Sequence, residues 1–154
     1  MTTLQLTTRI NADTKTVFDL SRNIDLHQDS MKTSKEKAVA GRTSGLIERD
    51  ETVTFRGKHF GIYLTHQSKI TEMTLYNSFT DEMLRGPFQS FRHTHRFVEE
   101  NGQTLMKDEI VYEVSFGILG RLLNLLFEKK YLMALITLRN AYIKTLAENN
   151  VKTE

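Results

Sequence analysis

Lys130 to Ala147 reads KYLMALITLRNAYIKTLA, and the apolar stripe Tyr131, Leu135, Leu138, Tyr142 and Leu146 advances through it in steps of three and four. Steps of that size put all five side chains on one side of an α-helix. A helix with one apolar side needs a surface to cover, and the strand-like sequence ahead of it supplies a sheet. The contents of the space between helix and sheet are the best sequence clue to function.

Leu119 to Glu128, just upstream, is also helical in pattern but faces elsewhere. At 3.6 residues per turn, Leu119, Leu122, Leu123, Leu126 and Phe127 share one side, while Arg121, Asn124 and Glu128 take the side that Tyr131 and Leu135 continue. One straight helix cannot bury both stripes against one surface, so a break is expected near Glu128 to Lys130. The first piece then acts as a flap over one end of a pocket. Two other readings stay open for it: core packing in a bent helix, or a surface helix making transient membrane contact, flanked by Arg121, Lys129 and Lys130.

Further outward, Asp50 onward is strand after strand, about 51 to 57, 59 to 71, 74 to 83, 88 to 99 and 103 to 115. These are separated by Gly57, Glu72-Met73, Arg85-Gly86-Pro87 and Asn101-Gly102, the pattern of an antiparallel meander. At the other end, Leu4, Leu6, Thr8 and Ile10 alternate with polar residues as in a half-buried strand. Asp13 is placed to cap a helix over Thr14 to Leu20. A second short helix follows Asn23 with Ile24 and Leu26 inward, and the polar stretch Asp29 to Gly45 holds a short strand around Ala38-Val39-Ala40. The fold class is α+β, with one domain over residues 1–154.

The balance of 21 basic against 19 acidic side chains, without a block of either sign, lacks the footprint of a nucleic-acid binder. No cysteine means no disulfide framework and no thiolate chemistry, which fits a reducing compartment. The first residues carry no charged region followed by an apolar run, and nowhere does the sequence offer the roughly twenty apolar residues that span a bilayer. A soluble, cytoplasmic protein is expected.

Asn-Gly is the strongest short hairpin signal, because both turn positions need a positive φ. Centring the turn on Asn101-Gly102 pairs Phe97 with Met106, His95 with Asp108, His93 with Ile110 and Phe91 with Tyr112 on one face. The other face, with Arg96 by Lys107, Thr94 by Glu109, Arg92 by Val111 and Ser90 by Glu113, is the wet one. A turn at Glu72-Met73 extends the pairing with Ser68 against Asn77, His66 against Phe79 and Leu64 against Asp81. A three-residue turn at Arg85 to Pro87 completes three inner rows: Ser68, Asn77, His95, Asp108; His66, Phe79, His93, Ile110; and Leu64, Asp81, Phe91, Tyr112. So many imidazole, carboxylate and amide groups do not suit a solid core, since each unpartnered one costs about 1 to 3 kcal/mol. They suit the wall of a lined, partly hydrated cavity.

His95 opposite Asp108, with His93 two residues away, is the most specific constellation. It reads as a structural pair, as a fixed donor to a ligand, or as a general acid/base. His66, His93, His95 and Asp108 together suggest a metal site, but Phe79 stands between His66 and His93 in this register, and no metal is expected. His27 and His59 are read as surface or loop residues. Asp81 and Tyr112 are read as an inward hydrogen bond across Phe91, as a hydroxyl offered to a ligand, or as a core-anchored tyrosine. No nucleophile elbow, phosphate-cradling glycine loop or HExxH pattern accompanies them.

The order strand, two short helices, meander and long C-terminal helix resembles the START and Bet v 1-like superfamily, which includes polyketide cyclase/dehydrase and lipid-transport proteins. The resemblance lies in Asn11 to Phe18, in Asp81 to Phe88 followed by Phe91 to Phe97, and in Phe116 to Gly120, and it covers almost the whole chain. It implies a helix-grip fold, a curved antiparallel sheet of six to seven strands wrapped around the C-terminal helix. It further implies a cavity for a hydrophobic small molecule such as a lipid, quinone, sterol or polyketide, with the Leu119 to Phe127 flap at its entrance and Gly117 and Gly120 letting that flap move. Some members carry such ligands and others cyclise or dehydrate them; no catalytic residue transfers by motif.

The expected ligand-binding residues are Leu64, His66, Asn77, Phe79, Asp81, Phe91, His93, Ile110, Tyr112 and Leu135. His95 and Asp108 are the catalytic candidates of a cyclase/dehydratase-type alternative, with no cofactor. A membrane- or partner-docking module using Leu119 to Phe127 is the third reading. Ligand identity and oligomeric state are not encoded in any motif.

Overall fold

The computed structural model describes residues 1–114 and 125–151. Chain order runs β1 (Thr2–Ile10), α1 (Thr14–Ser21), α2 (Ile24–Ser30), a 3-10 turn (Lys32–Ser34), β2 (Lys37–Gly41), β3 (Thr52–His59), β4 (Ile62–Thr74), β5 (Ser78–Arg85), β6 (Ser90–Glu100), β7 (Gln103–Glu113) and α3 (Leu125–Val151). The seven strands form one antiparallel sheet in the order β1-β7-β6-β5-β4-β3-β2, with the long helix across its inner face, the α+β helix-grip architecture. Both short helices start as their caps dictate. Asp13 Oδ1 accepts from the Thr16 amide at 2.9 Å, and Asn23 Oδ1 accepts from the Asp25 and Leu26 amides.

The β6–β7 hairpin has the register that its Asn-Gly turn requires, pair for pair from Glu100 with Gln103 to Ser90 with Glu113. Asn101 and Gly102 both take positive φ, 53° and 75°. The neighbouring hairpins depart from expectation. β3 runs through Gly57, and its turn comes at Phe60 and Gly61, both of positive φ. β4 likewise runs past Glu72 and Met73 and turns at residues 75–77, where Tyr76 takes a φ of 63°. The longer strand is held by its ends. Met73 packs against the core, the Tyr76 ring lies edge-on to Phe18 at 5.7 Å, and the Asn77 carbonyl accepts from the Phe97 amide at 2.8 Å.

Consequently Ile70 pairs with Asp81, Ser68 with Met83 and Met73 with Phe79, in place of the expected partners. On β5 and β6, Phe79 pairs with His95 and Asp81 with His93, a slip of two residues. An even slip keeps each side chain on its face and changes only its neighbours. Asn77 and Leu75 are removed to an exposed turn.

α3 is continuous from Leu125 through Lys130 to Val151, so the expected break at Glu128 to Lys130 is absent. The proposed flap falls mostly on residues outside the described range. The buried side of α3 is also turned from the expected stripe. Arg139, Asn140, Ile143 and Ala147 are buried, whereas Leu138 is 44% exposed. Arg139, bonded to the Ser21 carbonyl of α1, and Asn140, bonded to Thr8 and Asp108 of the sheet, take the inner side in mid-helix in place of Leu138, while Tyr131 and Leu135 of the stripe line a cavity between α3 and the sheet. No described helix is long and apolar enough to cross a membrane.

The core divides. Phe18 packs edge-on against Phe79 and Phe97 over Ile10, Val17, Ile70, Met106 and Ile143. A smaller cluster of Leu4, Ile110 and Tyr112 carries Phe88, Phe91, Leu132 and Ile136. Gly102 has open space where a Cβ would stand, so Gly102→Ala tests backbone strain alone. It is expected to lower stability by about 1 to 2 kcal/mol in urea unfolding, the usual cost of a left-handed residue with a Cβ. An unchanged midpoint would show that the turn does not fix the register.

Candidate functional site

A cavity of about 530 Å³ lies between α3 and the inner face of the sheet. Phe55, Leu64, Ile70, Phe79, Phe91, Leu132, Leu135 and Ile136 give it a mostly apolar wall. Its volume suits a small organic molecule. All five histidines of the chain line it, a concentration that organises the polar part of the wall.

The first polar group centres on Asp108 of β7, whose side chain is 1% exposed behind the imidazoles. Its Oδ1 accepts from His93 Nε2 at 2.8 Å, and its Oδ2 accepts from Asn140 Nδ2 at 2.6 Å. His95 Nδ1 stands 3.0 Å from the same Oδ1 but out of line for a hydrogen bond, while His95 Nε2 meets Asp81 Oδ2 at 3.1 Å. Arg139 closes the group from α3. It lies 3.8 Å from Asp108 and donates to Asn140 Oδ1 and to the Ser21 carbonyl. The expected His95–Asp108 pairing is thus present in register, but the directed hydrogen bond to Asp108 comes from His93, and Asp81 joins as a second carboxylate.

Electrostatics follow from this packing. Burial alone would raise both carboxyls, but the His95 hydrogen bond and the nearby imidazoles hold Asp81 at about 2. The His93 hydrogen bond and the adjacent His95 imidazole likewise hold Asp108 well below the carboxylate range against burial. Burial and the adjacent His95 lower His93 to about 4, against the pull of Asp108. Burial lowers His66 too, more than Asp81 and Glu36 raise it. The His66 ring is tied to Ser68 Oγ at 2.7 Å.

The second polar group went unread in the sequence. Glu36 Oε1 accepts from His27 Nε2 at 2.8 Å, Glu36 Oε2 lies 3.8 Å from His59 Nε2, and His59 Nδ1 bonds the Tyr131 hydroxyl at 2.7 Å. His27 and His59 are therefore cavity residues, not the surface or loop residues expected. Alternation held the signal: Val53, Phe55, Gly57 and His59 step inward along β3, and Glu36 lies two residues before half-buried Ala38.

Of the expected ligand-binding residues, Leu64, His66, Phe79, Asp81, Phe91, His93 and Leu135 reach the cavity, as does His95. Asn77 is in the exposed turn, and Ile110 and Tyr112 are packed core. The slipped β4 and β5 registers moved Asn77 out; Phe88 and Phe91 pack against Ile110 and Tyr112. Tyr112 and Asp81 do not pair across Phe91. Among the described residues, Asp81, His93 and His95 bring donor atoms within 4.8 Å of one another, a set able to hold a metal ion.

Burial pushes the Glu36 carboxyl up, yet the His27 hydrogen bond and the imidazoles of His27, His59 and His66 bring it below its ordinary value of 4.5. A depressed carboxylate contributes stability fully above its unfolded value, and loses it as pH falls through the folded one. The stability gap between wild type and Glu36→Gln is therefore expected to be full at about pH 6 and to narrow below about pH 4.5, read by urea unfolding. A gap constant across that window would mean that Glu36 is not held as a carboxylate.

A model of the family described as polyketide cyclase/dehydrase and lipid transport matches residues 10–135. No curated protein matches the sequence. Among solved structures, TTHA0849 from Thermus thermophilus superposes with a TM-score of 0.73 at 16% identity, over 95% of this chain and 99% of that one. A START superfamily protein from Mycobacterium smegmatis gives 0.72 at 11% identity, over 96% and 97%. Ginseng major latex-like protein 151 from Panax ginseng gives 0.61 at 15%, over 92% and 96%. At these identities the likeness is one of fold.

Proposed function

The chain belongs to the polyketide cyclase/dehydrase and lipid-transport family, and on that premise we propose that it binds a hydrophobic small molecule, lipid, quinone or polyketide-like, between sheet and α3. The observation that carries this reading is the cavity of about 530 Å³, apolar over most of its wall and polar at two clusters of imidazole and carboxylate. An apolar hollow gives affinity through surface removed from water, and a few fixed polar groups give orientation. His66, Asp81, His93 and His95 orient the ligand from the sheet, and His59 and Tyr131 do so at the second cluster. The proposed unit is the whole chain, 1–154, acting as one cytoplasmic ligand-binding domain.

One observation favours a second reading. His95 has Asp108 Oδ1 at 3.0 Å from Nδ1 and Asp81 Oδ2 at 3.1 Å from Nε2, so a substrate that displaces Asp81 from Nε2 meets an imidazole nitrogen with a carboxylate behind the ring, the geometry of a general base for an acidic carbon. Substitution of His95 by Gln separates the two readings: loss of turnover with retained affinity marks an enzyme, and a change in affinity alone marks a binder.

Binding itself is tested with a neutral hydrophobic fluorophore such as 1-aminoanthracene. Saturable, blue-shifted fluorescence at one probe per chain is expected. Leu135→Trp, which fills the cavity from α3, is expected to weaken it by about tenfold or more, roughly 1.4 kcal/mol, with unchanged circular dichroism. Absence of saturable binding, or equal binding by the filled variant, would contradict the reading.

A further inference from the structure

We propose that Asp81, His93 and His95 form a binding site for one divalent first-row transition-metal ion on the cavity wall. Two imidazole nitrogens and one carboxylate oxygen are a donor set suited to zinc or ferrous iron, and too nitrogen-rich for magnesium or calcium. The register builds it: Asp81 pairs with His93 across β5 and β6, and His95 follows on the same face. One donor atom from each residue lies within 4.8 Å of the other two. His95 Nε2 and Asp81 Oδ2, at 3.1 Å, already approach the roughly 3.4 Å between two ligands of a tetrahedral ion with bonds of about 2.1 Å.

The surroundings are those of a ligated pair of imidazoles. Asp108 faces His93 Nε2 at 2.8 Å and His95 Nδ1 at 3.0 Å. With His93 Nε2 committed to Asp108 and His95 Nε2 facing Asp81, His93 Nδ1 and His95 Nε2 are the nitrogens left for an ion, and Asp108 stands behind His93 as the outer carboxylate of a metal-binding histidine does. Asn140 and Arg139 fix Asp108 from behind.

Charge points the same way. Asp81 and Asp108 bring two negative charges and Arg139 one positive, in a group whose side chains are at most 20% exposed. With neutral imidazoles one negative charge is left over. A divalent ion reverses that balance and leaves room for one anionic ligand, water-derived or from the bound molecule, on the side open to the cavity. All three residues line that cavity, so the ion presents a Lewis-acid face to whatever binds there.

The whole chain, stripped by dialysis against a chelator, is titrated with Co²⁺ and then with Zn²⁺ without any organic ligand, so the result does not depend on the cavity reading. One ion per chain after gel filtration, visible Co²⁺ ligand-field absorption, and broadening of the His93 and His95 ring signals by Co²⁺ are expected. Asp81→Asn keeps an acceptor for His95, and with His93→Gln it is expected to lower Zn²⁺ affinity by about tenfold or more while circular dichroism stays unchanged. Wild-type protein that retains no ion, or whose His93 and His95 signals ignore Co²⁺, overturns the proposal. So does affinity that survives both substitutions in folded protein. The ring-signal measurement on wild type decides the matter if either variant fails to fold.

Discussion

A buried carboxylate joins the two layers of this protein. Asp108 rises from β7 beneath α3 and is met there by Asn140 at 2.6 Å, with Arg139 close by and His93 beside it on β6. A charge withdrawn from water is tolerated only when its partners are in place, and stripping one partner from such a group costs about 3 to 5 kcal/mol. The requirement is therefore positional. It fixes how α3 lies across the sheet and which side of the helix faces down.

That constraint leaves a hollow rather than closing one. C-terminal to Asn140 the helix settles onto Ile10 and Phe18 through Ile143 and Ala147. On its N-terminal side Leu135 faces the cavity, and Leu132 and Ile136 line it while packing against the smaller cluster of Leu4, Ile110 and Tyr112. Three pairs of polar residues in the wall bond one another, His66 with Ser68, His95 with Asp81 and His59 with Tyr131, and these bonds fix the side chains that face the cavity. His66 lies in the field of both carboxylates, Asp81 on one side and Glu36 on the other. The result is two polar clusters in an apolar chamber with His66 under the influence of both, the reason for reading the site as one that orients its ligand.

How much of this was legible in the sequence varied with the strength of the local signal. Asn101-Gly102 left one choice of turn, and the alternation on both flanking strands agreed with it, so β6 and β7 were readable residue by residue. The β4–β5 turn was not, because it relies on Tyr76 in a left-handed conformation that a bulky residue adopts only under tertiary support, here its contact with Phe18. Periodicity found α3 but misjudged its inner side, since Arg139 and Asn140 belong inside only because Asp108 waits below them. Asp81 reached the histidines through the same unread register, and Glu36 was hidden in a lysine-rich stretch whose alternation was too short to stand out.

A double-mutant cycle of Asp108→Ala and Asn140→Ala, read by urea unfolding at neutral pH, measures the joint between sheet and helix most directly. The expected coupling is about 1.5 kcal/mol or more, within the range found for contacting groups of one network. Single-site effects that add to within about 0.5 kcal/mol would contradict it, and would mean that α3 is held over the sheet by its apolar contacts alone.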